Sequence, residues 1–509
     1  MSNEPRVEVR SIGPTGQQCG LFATKNFKVG EVIVLNEQPL MIIEEDDSGE
    51  TELSLVLANL KAAFDGIADT IKKDTIMDLY CPSGDELSKF VLVGTNITFE
   101  TIDSSARQLY PDLLCDNSNE HKLTKLFYIW KLNSTSYLNN KSALFALHPR
   151  TNHSCCPNAT FREGTIRAQK NIAKGEEITH SYIGVETMIA STRVRRDLLL
   201  RRCFFTCSCS RCCRSVDLSR IMKCPSCAKH ALVPGLTEMT KGDDDDKAGS
   251  VTDAGMSIAA TCALCKESFH SNSLPLQEEL DLERQTLQLW TMSQPTQETS
   301  MIAQELHKRV VAVLGGAHWT ASALTKIRYD TDPMVNGFII LQWGEAHTKW
   351  CQAVLSRDMP CLVPQIRFSM GKNCQPLVSK PPNTQQKLFE ISGRRYWNDC
   401  YFECRQLWGD ADHNVQDIDK MLAQSKDRQV RVDMIVCTSK LCRAKTNDSL
   451  STTIAGSSKK ACAACGFAHY CDRACQKDDW PAHKEVCKST RNLKDLEAAM
   501  GVLKHVSLY

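Results

Sequence analysis

The sequence predicts a zinc-containing protein of several domains, in which helical stretches lie between segments rich in cysteine. Its 509 residues allow about two to four domains, and 42% hydrophobic with 24% charged residues is ordinary for a soluble globular protein. The 26 cysteines are grouped instead of scattered. Because the start lacks the basic-then-apolar order of a signal peptide, we expect a reducing compartment, which favours bound metal over disulfides.

The near-neutral net charge favours protein partners over nucleic acid. A formal net charge of +1 gives no support for a uniformly basic surface, and this argues against direct nucleic-acid binding. No apolar run approaches the ~18 residues of a membrane span. We therefore expect protein partners, no membrane insertion, and a location in the cytoplasm and nucleus. A zinc-dependent protein that binds nucleic acid remains an alternative hypothesis, in addition to the two that are stated at the end of this section.

Two stretches have helical periodicity. Residues 46–130 combine charged residues with leucine-rich spacing, as in ELSLVLANLKAAF. Farther along, MIAQELHKRVVAVLGG has one apolar face and should stop at Gly315, and FIILQWGEAHTKWCQAVL and DIDKMLAQSK continue the pattern. The predicted apolar face consists of Ile302, Leu306, Val310 and Leu314. The tryptophans expected in the core of this region are Trp319, Trp343 and Trp350.

The segment TNHSCCPNAT, residues 151–160, predicts a tight hydrogen-bonded loop. Pro157 and the polar residues break a helix, and the alternation is too poor for an ordinary strand. Loops of this composition usually belong to a functional site.

A CxCxxC pattern follows in FFTCSCSRCC, formed by Cys207, Cys209 and Cys212. Because tetrahedral zinc needs four ligands, a fourth must come from elsewhere, and Cys155 or Cys156 is the natural donor. The alternative is that these two cysteines are small buried apolar residues.

The next cysteines form two CxxC pairs, CPSC and CALC, which together supply four thiolates and predict a zinc ribbon. Free structural thiols are the alternative. The four cysteines are Cys224, Cys227, Cys262 and Cys265. The acidic run KGDDDDKAGS between the pairs is assigned no function.

The last cluster fills residues 437–487 and offers enough ligands for two zinc ions. So short a segment cannot build its own core and would depend on metal to fold. His483 and Cys487 have the spacing of a helical pair that faces one ion. The potential ligands are Cys437, Cys442, Cys462, Cys465, Cys471, Cys475, His483 and Cys487.

Five motifs resemble one family, the SET-domain protein-lysine methyltransferases. TNHSCCPNA resembles their NHSCxPN signature, and GEEITHSYI, residues 175–183, resembles their GEExxxxY signature. CFFTCSCSRC is similar to the post-SET segment of the branch that also carries a MYND finger. GPTGQQCGLFATKNFKVGEVI is similar to the first strand pair of the SET fold, and CAACGFAHYCDRACQKDDWPAHKEVC is similar to the finger itself.

The resemblance implies an α+β fold with a SET-domain β-fold, a helical insertion, a post-SET zinc site, a zinc ribbon, a C-terminal helical region and a small C-terminal MYND zinc finger. The expected ranges are 1–45 and 132–184 for the two parts of the SET domain, 46–131 for the helical insertion, 185–270 for the post-SET segment and ribbon, 271–430 for the helical region, 435–488 for the finger and 489–509 for a tail.

The resemblance also implies S-adenosylmethionine as cofactor. Asn152 and His153 would contact it, Phe205 would cover its adenine, and a turn at residues 17–21 would complete the pocket with Asn133. The residues expected to bind it are Gln18, Cys19, Gly20, Leu21, Asn133, Asn152, His153 and Phe205.

Tyr182 is implied as the catalytic residue that lines a channel for the substrate lysine. An ordinary core tyrosine is the alternative. A lysine with a pKa near 10.4 costs roughly 4 to 5 kcal/mol to deprotonate at neutral pH. A narrow apolar channel would lower that pKa by desolvation, and Tyr182 would position the amine.

For zinc, the resemblance selects Cys155 as the fourth post-SET ligand and implies about four ions in all. In the finger, one ion would be held by Cys437, Cys442, Cys471 and Cys475, and the other by Cys462, Cys465, His483 and Cys487. Fingers of this type bind proline-rich peptides in related proteins, and Gln476 and Trp480 stand where such a groove would lie. The alternative is that the finger only caps the helical region.

One position departs from the pattern. Enzymes of this branch commonly have a second channel tyrosine four residues before the first post-SET zinc cysteine, and here that position is Cys203. The leading hypothesis is therefore an S-adenosylmethionine-dependent protein-lysine methyltransferase with a histone or non-histone substrate. The alternative is a catalytically weak or inactive scaffold or transcriptional corepressor that recruits proline-rich partners through the finger.

Overall fold

The structure is a computed structural model. It describes residues 5–12, 18–44, 52–82, 84–87, 97–113, 121–138, 141–184, 187–234, 260–270, 273–290, 296–331, 337–374, 384–410 and 412–426, and beyond these residues 435–436, 453–454, 460–464, 469–470, 472–481, 483–484, 487, 495 and 498–500. Two compact units are present: the first comprises residues 1–184, 193–209 and 406–408, and the second comprises residues 185–192, 210–405 and 409–509.

The described residues of the first unit form three small β-sheets. Its strands are β1 Val7–Ile12, β2 Gln18–Ala23, β3 Val32–Val34, β4 Met41–Glu44, β5 Thr135–Tyr137, β6 Lys141–Leu144, β7 Asn152–His153, β8 Ala159–Arg162, β9 Thr165–Ala168 and β10 Glu177–His180. The strand orders are β1-β2-β10-β7, β3-β9-β8 and β4-β6-β5. Neighbouring strands are antiparallel except β10 and β7, which run parallel.

The described part of the predicted insertion, residues 46–131, is mostly helical. The helices up to residue 203 are α1 Leu53–Asp65, α2 Thr70–Met77, α3 Gly84–Leu87, α4 Phe99–Leu109, α5 Lys122–Asn133 and α6 Thr192–Cys203. The side chains of Asp69 and Thr98 cap the first backbone N–H groups of α2 and α4. One apolar core joins helices α1 to α5, with Leu57, Ile102 and Leu126 buried in it. A second core lies among the strands.

Two local expectations were wrong. Residues 18–21 form the start of β2, paired with Val9–Ile12 of β1 as the resemblance to a first strand pair implied, but they do not form the pocket turn that was expected at residues 17–21. Asn152 and His153 form the short strand β7, although the alternation of TNHSCCPNAT predicted only a loop. In both places, pairing along β2 and β10 satisfies backbone groups that the sequence pattern does not reveal.

The second unit begins with a four-stranded antiparallel sheet, β11-β12-β13-β14, at the predicted ribbon. Its strands are β11 Met222–Lys223, β12 His230–Pro234, β13 Ala260–Cys262 and β14 Ser268–Phe269. The helices that follow are α7 Leu276–Trp290, α8 Gln297–Val313, α9 Trp319–Thr331, α10 Gly337–Leu355, α11 Leu362–Asn373, α12 Thr384–Trp408 and α13 His413–Lys426. Two strand pairs complete the described elements: β15 Ile435–Val436 with β16 Thr453–Ile454, and β17 Lys460–Ala461 with β18 His469–Tyr470.

The helical region largely follows its sequence pattern. The three tryptophans expected in the core are buried: Trp319, Trp343 and Trp350. Helix α8 ends at Val313, and Gly315 has φ +97°, which suits glycine after a helix. The predicted apolar face of α8 was wrong at its first position, because Ile302 is 43% exposed. Ile302 lines a surface cleft with Leu289.

A buried ionic network lies at the start of this helical region. Arg220 donates two hydrogen bonds to the carboxylate of Glu279, at 2.7 and 2.5 Å. A ring nitrogen of His318 lies 3.1 Å from the same carboxylate, and Trp319 donates to Glu283 at 2.7 Å. Burial works to raise the pKa of Glu279, but the guanidinium of Arg220 outweighs it and holds that pKa well below its ordinary value.

Part of the expected C-terminal tail is packed. Ala499 and Met500 are buried, and Asp495 lies 3.3 Å from the ammonium of Lys229. Among the described helices, none combines the length and apolarity needed to cross a membrane.

Candidate active site and metal centres

The parallel pair β7 and β10 assembles the candidate active site. Asn152 lies opposite Thr179, and His153 lies opposite His180. Asn158, farther along the same loop, fastens it to β10: its amide nitrogen donates to the carbonyl of Glu177 at 2.8 Å, and its oxygen accepts the N–H of Thr179 at 2.9 Å. The loop is therefore held along the end of β10.

Tyr182 follows β10 and is held at both ends. Its phenol hydroxyl donates to the carbonyl oxygen of Thr151 at 3.1 Å, and its backbone N–H donates to Nδ1 of His153 at 3.0 Å. Although 37% of the residue surface is exposed, burial of the phenol raises the pKa of Tyr182 above its ordinary value, with Cys203 and Glu177 adding to the shift. The phenol is neutral, and its hydrogen is already donated inside the protein.

The side chains of Asn152 and His153 are also fixed by protein groups. The amide nitrogen of Asn152 donates to Glu177 Oε1 at 2.7 Å and to the carbonyl of Cys19 at 3.1 Å. Nε2 of His153 lies 3.2 Å from the sulfur of Cys155. Burial lowers the pKa of His153 to about 3. Because Nδ1 accepts the N–H of Tyr182, the neutral ring carries its proton on Nε2.

The four expected cofactor residues of β2 have different surroundings. Gln18 is exposed, Cys19 is half-buried, and Leu21 is fully buried with its side chain in the sheet core. At Gly20, an added Cβ would lie 2.4 Å from Ile12 Cδ1 and 2.8 Å from Glu177 Oε1, so a larger residue would have to displace these side-chain ends. Contacts from Leu21 to a ligand would have to use its backbone.

Asn133 and Phe205 lie on other elements of the first unit. Asn133 ends α5, and its amide nitrogen donates to the carbonyls of Ile129 at 2.8 Å and Tyr80 at 2.9 Å. The ring of Phe205 is half-buried, with its centroid 6.0 Å from that of His153 and 6.2 Å from that of Tyr182. The structure therefore brings Phe205 together with Tyr182 and His153, whereas the amide hydrogens of Asn133 are already used.

Cys203 is the last residue of α6 and is half-buried. Burial raises the pKa of its thiol to about 11, so the group is neutral near neutral pH. It is close enough to influence the phenols of both Tyr182 and Tyr80. A small neutral thiol thus stands at the position where the resemblance expects a tyrosine.

Three of the post-SET cysteines converge in the first unit. The sulfur atoms of Cys155, Cys207 and Cys209 lie within 4.8 Å of one another. The backbone N–H of Cys155 points to the sulfur of Cys209 at 3.3 Å. Cys156 is not part of this cluster, and its sulfur lies 3.4 Å from the hydroxyl of Ser154, so the geometry selects Cys155 from the two candidates. Cys212 belongs to the second unit, where it is buried.

The ribbon cysteines form a second sulfur cluster. The sulfurs of Cys224 and Cys265 are 3.7 Å apart, and those of Cys227 and Cys262 are 3.8 Å apart. All four lie within 4.8 Å of one another. The acidic run KGDDDDKAGS between the pairs lies outside the described residues.

Part of the finger forms a third cluster. Cys462, His483 and Cys487 are buried with their ligand atoms within 4.8 Å of one another, and the two sulfurs are 3.7 Å apart. Cys475, a candidate ligand of the other finger ion, is half-buried. The other candidate ligands lie outside the described residues: Cys437, Cys442, Cys465 and Cys471. The structure therefore brings together three of the four residues expected for one of the two finger ions.

The two residues expected at a peptide groove lie beside this cluster. Trp480 is 42% exposed, and its ring centroid is 6.1 Å from that of His483. Gln476 is half-buried. Tyr470 donates to the buried Asp479 at 2.8 Å, which anchors the segment that carries Trp480.

Sequence reasoning assigned no role to Thr151, Asn158 or Glu177. Asn158 and Glu177 are part of the two signature motifs, so their positions in NHSCCPN and GEE were the available signal. Thr151 accepts the phenol hydrogen through its backbone carbonyl, a group that every residue has, so the sequence gives no signal for this role. The hydroxyl oxygen of Thr151 also lies 2.7 Å from Nδ1 of His180.

Comparison with known families agrees with this geometry. Residues 18–183 match the SET domain, and residues 441–487 match the MYND finger. The first match contains Tyr182 and the β7–β10 pair, and the second contains the Cys462 cluster. The chain is a protein with a SET domain and a MYND finger, and the predicted recognition and mixed α+β class are confirmed.

Relatives with curated names point to the same class. The putative SET domain-containing protein L678 of Acanthamoeba polyphaga mimivirus is 24% identical over 191 residues, 36% of this chain and 70% of that protein. The histone-lysine N-methyltransferase SET5 of Mycosarcoma maydis is 29% identical over 168 residues, 30% of each chain. The N-lysine methyltransferase SMYD2 of Homo sapiens is 41% identical over 75 residues, 14% of this chain and 17% of that protein. The chain thus spans less than a third of the length of these two methyltransferases.

Proposed function

We propose that the protein is an S-adenosylmethionine-dependent protein-lysine methyltransferase with a histone or non-histone substrate. The observation that carries the proposal is the fixed phenol of Tyr182, which donates its hydrogen to Thr151 beside β7 of the SET domain. Relatives named lysine methyltransferases match parts of the chain and support the same reaction class.

Because the phenol hydrogen of Tyr182 is already donated to Thr151, the phenol oxygen can act only as a hydrogen-bond acceptor toward a substrate. Since the O–H donates to the carbonyl of Thr151, the phenol oxygen has its lone pairs available to accept a hydrogen bond from a substrate amine. A lysine amine must be neutral to act as a nucleophile, and burial of the amine beside Tyr182 would favour the neutral form by desolvation. Tyr182 would hold that amine in one orientation, and holding a reactant in the reactive orientation increases the rate.

The surrounding residues fit S-adenosylmethionine, which supplies the methyl group when bound. With its NH₂ group donated to Glu177 and Cys19, Asn152 can offer its Oδ1 as an acceptor to the amino group of the cofactor. The half-buried ring of Phe205 offers a face for adenine. His153 has both ring nitrogens engaged inside the protein, so it would contribute its ring face or backbone.

We propose that the cysteine clusters hold structural zinc, about four ions in all. Zinc–sulfur bonds of about 2.3 Å in a tetrahedron separate the sulfurs by about 3.8 Å, and the ribbon sulfurs are 3.7 and 3.8 Å apart. The post-SET ion would be held by Cys155, Cys207 and Cys209, with Cys212 as the fourth ligand from the CxCxxC spacing. Complete four-residue sets leave no open coordination position, so the zinc would stabilise the fold without entering the chemistry.

The first test is cofactor binding, because it requires no knowledge of the substrate. Titration calorimetry of the full chain with S-adenosylmethionine should give micromolar affinity, and Asn152→Ala should weaken it at least tenfold. Asn26→Ala is a matched control, since Asn26 caps an exposed turn of the same unit through the N–H of Lys174. Absence of binding to zinc-loaded wild-type protein would exclude the methyltransferase.

The second candidate is a scaffold or corepressor with a weak or inactive SET site, and Cys203 is the observation that favours it. In that case the finger carries the function, and the exposed ring of Trp480 would contact a proline-rich partner. Peptide binding that is lost in Trp480→Ala, together with no methyl transfer by the wild type, would establish this candidate. We propose the cytoplasm and nucleus as the location under either function.

A further inference from the structure

A carboxylate far from the site in sequence holds the turn that leads into it. Glu37 follows β3, and its carboxylate accepts the backbone N–H of Leu147 at 2.6 Å and that of His148 at 3.2 Å. These contacts join residues 110 and 111 positions apart. Hydrogen bonds from backbone N–H groups to a charged carboxylate are stronger than those between neutral groups.

The turn held by Glu37 ends at the carbonyl that contacts Tyr182. His148 begins a short 3-10 turn, and its carbonyl accepts both the backbone N–H of Thr151 at 3.0 Å and the Thr151 hydroxyl at 2.6 Å. The carbonyl of Thr151 then accepts the phenol of Tyr182 at 3.1 Å. A continuous series of hydrogen bonds therefore runs from Glu37 to the phenol.

The backbone of Glu37 is itself fixed. Its N–H donates to the carbonyl of Gly164 at 2.7 Å, in the turn between β8 and β9. Gly164 has φ +79°, and an added Cβ would lie only 2.6 Å from the carbonyl oxygen of Glu37. Glycine at this position allows the close approach. Glu37 is thus a rigid support, not a mobile surface carboxylate.

We propose that Glu37 is a positioning residue for Tyr182. It holds the turn Leu147–Thr151 and thereby sets where the carbonyl of Thr151 takes the phenol hydrogen. This inference rests on the proposed role of Tyr182 in methyl transfer. The hydrogen-bond partners of the Glu37 carboxylate lie in the turn, so Glu37 acts on Tyr182 through that turn.

The test compares Glu37→Gln and Glu37→Ala with Glu31→Gln in the full chain. Glu31 is a matched control, because its more exposed carboxylate also accepts a backbone N–H, that of Lys28 at 2.6 Å, in a turn that does not lead to Tyr182. Glutamine offers one oxygen to two N–H groups, so we expect kcat to fall about tenfold with the KM for S-adenosylmethionine within about twofold of wild type. Glu37→Ala should lose more, and Glu31→Gln should match wild type.

A second readout is independent of activity. Hydrogen exchange, measured by mass spectrometry on peptides covering residues 146–153 and 178–184, should be faster in Glu37→Gln and unchanged in Glu31→Gln. If exchange rises in both peptides while the wild type transfers no methyl group, the proposed function fails but the link from Glu37 to Tyr182 stands. If exchange in the peptide that contains Tyr182 is unchanged, or if kcat is unchanged in an active enzyme, the inference is overturned.

Discussion

The phenol of Tyr182 donates a hydrogen bond to the carbonyl oxygen of Thr151 over 3.1 Å, so the tyrosine that ends the SET signature is tied to the residue that precedes the other signature. A second bond, from the backbone of Tyr182 to His153, fixes the start of the side chain. The two signature motifs are therefore joined by direct contacts as well as by strand pairing.

Replacing Tyr182 by phenylalanine tests the importance of this hydroxyl. The change keeps the ring and removes only the oxygen, so methyl transfer should fall by roughly 10²-fold or more because the amine loses its fixed acceptor. The free energy of unfolding should change by only about 1 kcal/mol, the contribution of one hydrogen bond. Rates with a methylatable peptide and urea unfolding measure the two quantities.

Tyr137→Phe is the control for that substitution, because Tyr137 lies on β5 of the same unit and its ring packs against Phe145. Its activity should equal that of the wild type. Zinc content should be unchanged in Tyr182→Phe, which shows that the variant is folded. Equal activity of this variant and the wild type would then show that the hydroxyl of Tyr182 takes no part in the reaction.

The buried His148 and the half-buried His180, whose ring contacts Tyr182, predict loss of stability in mild acid. Burial lowers the pKa of His180 to about 4, and burial together with His180 lowers the pKa of His148 well below its ordinary value. In the unfolded chain these histidines have the ordinary pKa near 6.5, so below that pH the unfolded chain binds more protons than the folded chain. Stability should be complete above about pH 6.5 and fall as the pH drops toward 4, by at most ~1.4 kcal/mol per pH unit for each histidine.

His148→Phe separates this effect from loss of zinc in acid. The ring of His148 packs against Phe161 with centroids 3.8 Å apart, so a phenylalanine can replace it in an aromatic environment. Urea unfolding at pH 7.5, 6.5 and 5.5, with zinc measured in parallel, should show a shallower pH dependence in the variant. An identical slope in both proteins would assign the acid sensitivity to other groups.

The ribbon cluster predicts a defined loss of metal. Cys262 is buried on β13 with its sulfur 3.8 Å from that of Cys227, so Cys262→Ser should remove about one zinc ion per chain and lower the melting temperature. Cys213→Ser is the control, because Cys213 is an exposed cysteine that belongs to none of the clusters found among the described residues. Metal analysis that finds equal zinc in Cys262→Ser and wild type would contradict a zinc ribbon.

The sequence predicted those features that depend on residue type and spacing. The CxxC pairs indicated which ribbon sulfurs meet, and the 3.6-residue period placed Leu306 and Val310 in the core. Features that depend on backbone groups were not predictable: the carbonyl of Thr151, and the two N–H groups that Glu37 binds over 110 residues, carry no residue signature. Ile302 fits the helical period yet is exposed, because periodicity predicts a face but not whether each position on that face is covered.

The buried pair of Arg220 and Glu279 predicts a large stability effect in the second unit. Glu279 is fully buried and accepts two hydrogen bonds from Arg220, so Arg220→Met would leave a buried carboxylate without its cationic partner. Breaking a buried pair in this way costs about 3 to 5 kcal/mol. The midpoint of urea unfolding, followed by tryptophan fluorescence, should shift strongly to lower urea.

A surface pair provides the comparison for Arg220. Arg201 lies 2.9 Å from Asp197 on α6, and both side chains are more than half exposed, so Arg201→Met should cost only about 0 to 1 kcal/mol. Adding Glu279→Leu to Arg220→Met should recover most of the lost stability, because the uncompensated charge is removed with its partner. If Arg220→Met and Arg201→Met unfolded at the same urea concentration, the buried pair would contribute no more to folding than an ion pair in water.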